Sequence, residues 1–474
     1  MVAFVGRHRE LRVLAAELER IAPGDSRPGR CLLIRGRRRV GKSRLVEQFV
    51  ENLDAPSVYF TAAGSPTPQE VRRFCADVAE SPLPGRELLA AANPEDWDSA
   101  LRLLAAALPE DGPSVVVIDE VPYLMDGEHV FEGVLQRAWD RQLSRKPVLL
   151  ILIGSDLSMM EALNSYERPF HQRGREMVVG PLNPADLSTM LEVDAAEAID
   201  ATLVTGGLPL VCTEWQPGTD VWDFLTTALA DPTSALLVSA ERSLAAEFPA
   251  AVQARAVLAA IGSGERTFAN IARASGGLGA TPLQRSLDVL NEKRLVVGDL
   301  PLSTRPSKER RYRIADPYLR FWLHFIAPYM AEIERGRGDL TLARIRRGWT
   351  SWRGRAVEPL VRDALSRLLP DGTLPAAGAV GSYWTRANDV EVDIVGADRG
   401  PIARELLFVG SIKWLDQATF DAHDLAVLHR HRAALTDQPL PILAVSRSGV
   451  SCGGLDAAYG PEDLLAAWRS TESR

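Results

Sequence analysis

Eight residues constrain this chain more than any others: Gly36-Arg37-Arg38-Arg39-Val40-Gly41-Lys42-Ser43. They satisfy the pattern GxxxxGK[ST] at every fixed position. An apolar run, Cys31-Leu32-Leu33-Ile34, precedes them, and a helix-like run from Arg44 to Val50 follows. Strand, glycine loop and helix, in that order, make a phosphate cradle. The glycines let the backbone curl until its N–H groups face inward, and the helix N-terminus adds partial positive charge. Lys42 then reaches the β- and γ-phosphates of ATP, and Ser43 supplies an oxygen to magnesium. The expected ATP-binding segment is the whole loop together with Arg44.

Two further apolar segments read as strands of the same sheet. Val115-Val116-Val117-Ile118 ends in Asp119-Glu120. An acidic pair at this place assigns magnesium to Asp119 and polarisation of the attacking water to Glu120. An ordinary acidic strand exit is the alternative, weakened by the loop upstream. Val148 to Ile153 ends in Gly154-Ser155, and Ser155 is placed to sense the γ-phosphate or hold the water. Helical stretches, Gln69 to Ala79 and Val130 to Leu143, alternate with these strands. That alternation predicts an α/β fold with a parallel sheet that binds its ligand at the carboxyl ends of the strands.

The bulk numbers bound the rest. A chain of 474 residues is long enough for about three domains. With 46% hydrophobic residues it can build real cores, and a net charge of −8 excludes a uniformly basic nucleic-acid binder but not a local basic patch. Cys31, Cys75, Cys212 and Cys452 form no CxxC pair, which predicts reduced thiols, no structural zinc and a cytoplasmic setting. The start, Met1-Val2-Ala3-Phe4-Val5-Gly6-Arg7, turns charged too early for a signal peptide, and no apolar run approaches the ~20 residues that span a bilayer.

Phe4-Val5-Gly6-Arg7 with Glu10-Leu11, the glycine loop, Ile118-Asp119-Glu120, and Ile153-Gly154-Ser155 with Met159-Met160-Glu161 together resemble the prokaryotic AAA+-type ATPases often called the archaeal ATPase family. The resemblance implies an adenine-side role for the first segment. It also implies a charge-stabilising arginine after the third strand: Arg173 first and Arg175 second, within Pro169 to Arg175. The adjacent arginine pair usual in the family is missing. An ordinary surface charge is the competing reading for both residues.

The expected organisation is an ATPase core over 1–180, a helical lid over 181–250 broken at Gly206-Gly207-Leu208-Pro209, a winged helix-turn-helix over 251–330, and 331–474 as a basic linker followed by an α/β nuclease-like domain. In the third part, Val252 to Ile261, a helix from Thr267, and a helix opened by Thr281-Pro282 and running to Leu295 precede two short strands, 295–298 and 311–315. Arg305, Lys308, Arg310 and Arg311 make a basic wing suited to DNA phosphates, while the third helix offers Gln284, Arg285 and Lys293. A solvated loop, or a module that packs on protein, explains the same residues. Asp316-Pro317-Tyr318 with Phe321-Trp322 matches a family signature and reads as core packing. Trp349 and Trp352, among the arginines of 332–355, read as core in preference to base stacking.

In the last part Glu358, Asp393 and Lys413 follow the order of a PD-(D/E)xK metal site, and the stretch resembles the nuclease-like domain of uncharacterised function that often follows this ATPase type. Ser411 stands where the pattern wants glutamate. A hydroxyl is a poor magnesium ligand beside a carboxylate, so a degenerate domain kept for binding or assembly is expected. Glu391 and Glu405 are the possible substitutes. His423, His429 and His431 match no metal spacing. Three functions compete: an ATP-hydrolysing switch coupled to DNA or a partner protein, an ATP-regulated nuclease, and a nucleotide-loaded scaffold with little turnover. A homo-oligomer is compatible with all three.

Overall fold

The computed structural model describes residues 4–22, 25–125, 130–166, 168–247 and 252–472. Met1 to Ala3 and the boundary at 250/251 fall outside them. The chain divides into two compact units, Met1–Pro181 and Leu182–Arg474.

The first unit is built on five parallel strands: β1 (Arg30–Arg35), β2 (Ser57–Thr61), β3 (Ser114–Asp119), β4 (Val148–Gly154) and β5 (Arg175–Val178). Their order is β2-β3-β4-β1-β5. Every residue of β3 and β4 is buried, as expected for central strands covered on both faces. Since β1 lies beside β4 and β4 beside β3, the glycine loop and the Asp119-Glu120 and Ser155 tips all emerge at one edge of the sheet. Two strands were not expected. β2 is only five residues long, and β5 carries Arg175 and Glu176 on an edge where charge is tolerated.

The second unit begins with helices that include Pro184–Leu191, Ala195–Thr205 and Val221–Ala230. Gly206 and Gly207 end the second of these in the left-handed region, at φ 61° and 66°. A Cβ on Gly207 would lie 2.0 Å from the Leu182 carbonyl oxygen, so this break requires glycine. Glu197 is half-buried and accepts the Val221 amide at 2.5 Å. Burial pushes its carboxyl up to about 7. The folded chain therefore holds a proton that the unfolded chain has released, and stability falls as pH rises from about 4.5 to about 7. Glu197→Gln should flatten that slope. Melting curves should show the variant gaining on the wild type by on the order of 2 kcal/mol between pH 5 and pH 8.

Helices Val252–Gly262, Phe268–Ala274 and Ala280–Glu292 follow, then an antiparallel hairpin of β6 (Val296–Asp299) and β7 (Arg311–Ile314). The third helix starts at Ala280 with Gly279 as N-cap, so Thr281 lies inside the first turn and caps nothing. Tyr318 and Trp322 are buried; the Tyr318 hydroxyl donates to Leu236 O at 2.9 Å and Trp322 Nε1 to Leu237 O at 2.9 Å. The arginine-rich stretch forms one 31-residue helix, Gly338–Leu368. It runs without a break from the expected basic linker through Glu358. Trp349 and Trp352 stack at 5.5 Å in a core shared with Phe321 and Phe325.

The last sheet has the order β12-β11-β10-β9-β8. Its strands are β8 (Ala379–Trp384), β9 (Glu391–Ala397), β10 (Leu406–Lys413), β11 (Ile442–Ser446) and β12 (Ala457–Tyr459). β8, β9 and β10 pair antiparallel, and β10, β11 and β12 pair parallel.

Candidate functional site

Positive φ at Arg39 (68°) and Gly41 (88°) curls the glycine loop onto the N-terminus of helix Lys42–Glu51. Gly36 tolerates no side chain, because a Cβ would lie 2.3 Å from the Val179 carbonyl oxygen. The buried Arg7 holds the loop from behind, donating to Val40 O at 2.8 Å and Gly180 O at 2.6 Å. No local pattern marks Arg7 for this task, since both acceptors are distant in sequence. Lys42 Nζ donates to Gly36 O at 2.8 Å and Arg37 O at 3.0 Å. Burial pushes the Lys42 amine down to about 8, against the pull of Glu120 and Asp119 and with Arg38 adding to the fall. Both acids therefore act on the lysine across the site.

Arg38 and Arg44 are exposed. The Arg44 side chain lies along its own helix, paired with Glu51 at 3.0 Å and Glu47 at 3.5 Å, which leaves only its backbone amide for a phosphate.

Asp119 is buried at the tip of β3. One carboxylate oxygen accepts the Tyr59 hydroxyl at 2.9 Å and the other the Glu120 amide at 2.8 Å. Ser43 lies beside the same phenol, and burial together with Asp119 holds that phenol well above its ordinary value. Tyr59 thus joins the two oxygen donors expected for magnesium. Its only sequence signal was the alternation Val58-Tyr59-Phe60 in a strand too short to stand out. Hard oxygen donors around a hydroxyl network fit magnesium, which keeps several waters and takes one or two protein ligands.

Glu120 sits in the left-handed region at φ 54°, and its Oε2 accepts the Ser155 hydroxyl at 3.0 Å. Ser155 therefore holds the glutamate. Lys42, Ser43, Asp119, Glu120 and Ser155 all stand at the carboxyl edge of the sheet.

The two arginine candidates are engaged elsewhere. Arg173 binds Asp140 through Nε and Nη2 at 2.9 and 2.8 Å and the carbonyls of Pro169 and His171 through Nη1. Every guanidinium nitrogen is used, so here Arg173 braces its own loop. Arg175 opens β5 and pairs with Glu17.

In the second unit Arg285, Arg305, Lys308 and Arg310 are exposed. Arg311 corrects the expected wing: it is 9% exposed, paired with Glu391 at 2.5 Å and Asn388, and stacked 4.6 Å from the Trp384 ring. Its role is structural because strand β7 turns it inward. The loop between β6 and β7 is itself pinned. Leu302 donates to Ser382 O at 2.8 Å, Ala403 to Ser303 O at 2.9 Å, and Trp384 Nε1 to Glu309 O at 3.0 Å. The third helix exposes Asp288 and Glu292 beside Arg285, and Gln284 donates to Asp288.

The C-terminal acids come together, but in a closed arrangement. Asp393 accepts Ser411 Oγ at 2.8 Å and the Ile412 amide at 2.9 Å. Arg362 pairs with Glu358 at 3.4 Å and donates to Asp393 O at 2.9 Å. Lys413 pairs with Asp424 at 2.9 Å, an acid the sequence pattern did not offer. Burial raises both the Glu358 and the Asp393 carboxyls. Glu391, a possible substitute, is spent on Arg311, and Glu405 precedes β10. The His431 ring bonds Glu391 O at 2.6 Å. Among the described residues no group of three or more His, Cys, Asp or Glu side chains could hold a metal. No described helix is long and apolar enough to cross a membrane.

Comparison with known proteins agrees with the first unit's chemistry. Residues 4–204 match the family described as an ATPase domain predominantly from Archaea. Residues 322–425 match a family described as "Archaea bacterial proteins of unknown function". An uncharacterized protein of Methanocaldococcus jannaschii is 26% identical over 420 residues, covering 87% of this chain and 88% of the relative. Among solved structures, a Walker-type ATPase of Pyrococcus abyssi superposes with a TM-score of 0.49 at 20% identity, over 68% of this chain and 96% of that one. The ORC2 protein of Aeropyrum pernix, solved with ADPNP and ADP, superposes with a TM-score of 0.45 at 14% identity, over 72% and 95%.

Proposed function

We propose that this chain, whose residues 4–204 carry an ATPase domain of the predominantly archaeal family, binds ATP with magnesium, hydrolyses it, and uses the nucleotide state to control binding of DNA. The observation that carries the reading is the meeting of Lys42, Asp119 and the Ser155-held Glu120 at one edge of the parallel sheet. Lys42 would exchange its two loop carbonyls for phosphate oxygens. Backbone amides of the loop would hold the β-phosphate. Glu120, an acceptor-only group, would orient a water for attack on the γ-phosphate. Ser43 and Asp119 would hold magnesium, which when bound would neutralise charge on the phosphates.

The exposed basic residues Arg285, Arg305, Lys308 and Arg310 support a DNA target. One observation favours a protein target instead. The hairpin loop is tied to β8, and Arg311 is spent on Glu391, so the module lacks a free wing. Either way the C-terminal domain acts by binding, with Arg362 and Lys413 as internal counter-charges in place of a metal.

The test is ATP turnover with and without duplex and single-stranded DNA. Turnover that rises severalfold with DNA, and loses the rise in an Arg285→Glu, Arg305→Glu double variant, supports the DNA target. Turnover indifferent to DNA moves the target to protein.

A further inference from the structure

A cavity that plays no part in the ATPase reading lies wholly within the second unit. It measures about 430 Å³. It is bounded by the turn after helix Val252–Gly262, by strand β7 and by the long helix Gly338–Leu368. Its wall carries Arg266, Arg313, Arg320 and Arg355 with His324, against one carboxylate, Glu265.

Arg313 is committed to Asp299 at 2.7 Å. The other three arginines make no ion pair among the described residues. Arg320 donates only to main-chain carbonyls, Arg355 O at 3.1 Å and Ala356 O at 3.5 Å. Gathering like charges on one wall is costly where a member is desolvated. The cost is visible at Arg320, which burial and the nearby Arg313, Arg266 and Arg362 push down to about 10 even though Glu358 pulls the other way. His324 is held below its ordinary value by burial, with Arg320 and Arg355 contributing. A neighbouring narrower cavity is lined by the same four arginines together with Arg311 and Arg362, and its acids Asp299, Glu358 and Glu391 pair with Arg313, Arg362 and Arg311. None of those acids forms an ion pair with Arg266, Arg320 or Arg355.

Phosphate oxygens match the planar guanidinium fork, and several phosphates on one ligand would offset several arginines together. Tyr312 from β7 and Trp352 from the long helix add aromatic surface to the lining. The volume falls within the ~300–1,000 Å³ of small-molecule sites.

We propose that this cavity is a second ligand site, separate from the glycine loop, which binds a nucleotide-sized polyphosphate with its phosphates on Arg266, Arg320 and Arg355. The site stands whether or not the chain hydrolyses ATP.

The test is calorimetric titration of the full chain carrying Lys42→Ala, with inorganic tripolyphosphate as the probe. One-to-one binding is expected. Arg266→Ala and Arg355→Ala should each weaken it about tenfold or more, since each removes a charge-assisted hydrogen bond. Neither guanidinium holds another part of the fold among the described residues, so circular dichroism should be unchanged and melting should not fall, and Arg355→Lys should restore part of the affinity. No binding, or binding that ignores both arginines, would overturn the proposal. So would a single-stranded 12-mer whose binding depends on the two arginines when tripolyphosphate does not bind.

Discussion

Glu120→Gln should lower ATP turnover by about 10²- to 10⁴-fold while changing ATP affinity by no more than about threefold. The substitution keeps size and keeps an oxygen that can accept the Ser155 hydroxyl, which lies 3.0 Å from Glu120 in the wild type. What it removes is the negative charge that makes the group an acceptor for a water proton. Backbone at φ 54° is unfavourable for a non-glycine residue, and the fold tolerates it at the tip of β3. The amide of Glu120 is fixed there by Asp119 at 2.8 Å, so the glutamate is held at both ends. Single-turnover rates and equilibrium nucleotide binding separate the two effects. Turnover within a few-fold of wild type would remove Glu120 from the chemistry and favour the slow scaffold reading.

Arg353→Ala should be the most destabilising single change in the second unit, by about 3–5 kcal/mol. Arg353 and Asp200 are each 2% exposed and pair at 2.8 Å. Arg353 also reaches Asp416 at 2.8 Å, and Arg447 bridges the same two acids at 3.1 and 2.7 Å. The four charges close a square that ties helix Ala195–Thr205, the long helix and the turn after β10 into one body. Removing Arg353 leaves Asp200 buried with half its counter-charge and opens a cavity. Arg353→Met, which refills the space without charge, should recover part of the loss. The denaturant midpoint reads both variants, and an alanine variant within about 1 kcal/mol of wild type would mean that solvent reaches the square.

The parts legible from sequence were those written in short-range pattern. The loop from Gly36 to Ser43, the apolar runs of β3 and β4, and the polar tips Asp119-Glu120 and Ser155 announce themselves within a dozen residues each. Long-range partners do not. Arg7 and Tyr59 complete the site through contacts with Val40 and Gly180, and with Ser43 and Asp119, that no local periodicity encodes. Arg311 looked like a wing residue because Glu391, 80 positions on, is invisible to a loop reading. Arg175 looked like a functional arginine because a four-residue edge strand with charged residues carries almost no strand signal. The long helix read only as a basic linker because its arginines hid the buried stripe of Ile345, Trp349, Trp352 and Ala356.

The most direct test of the central claim is phosphate release from ATP by the wild-type chain and by Lys42→Ala, side by side and with magnesium present. The account predicts turnover by the wild type, its loss on chelation of magnesium, and a fall of about 10²-fold or more in the variant with the fold intact by circular dichroism. Equal turnover by the two chains would contradict it, because hydrolysis would then owe nothing to the loop on which the reading rests.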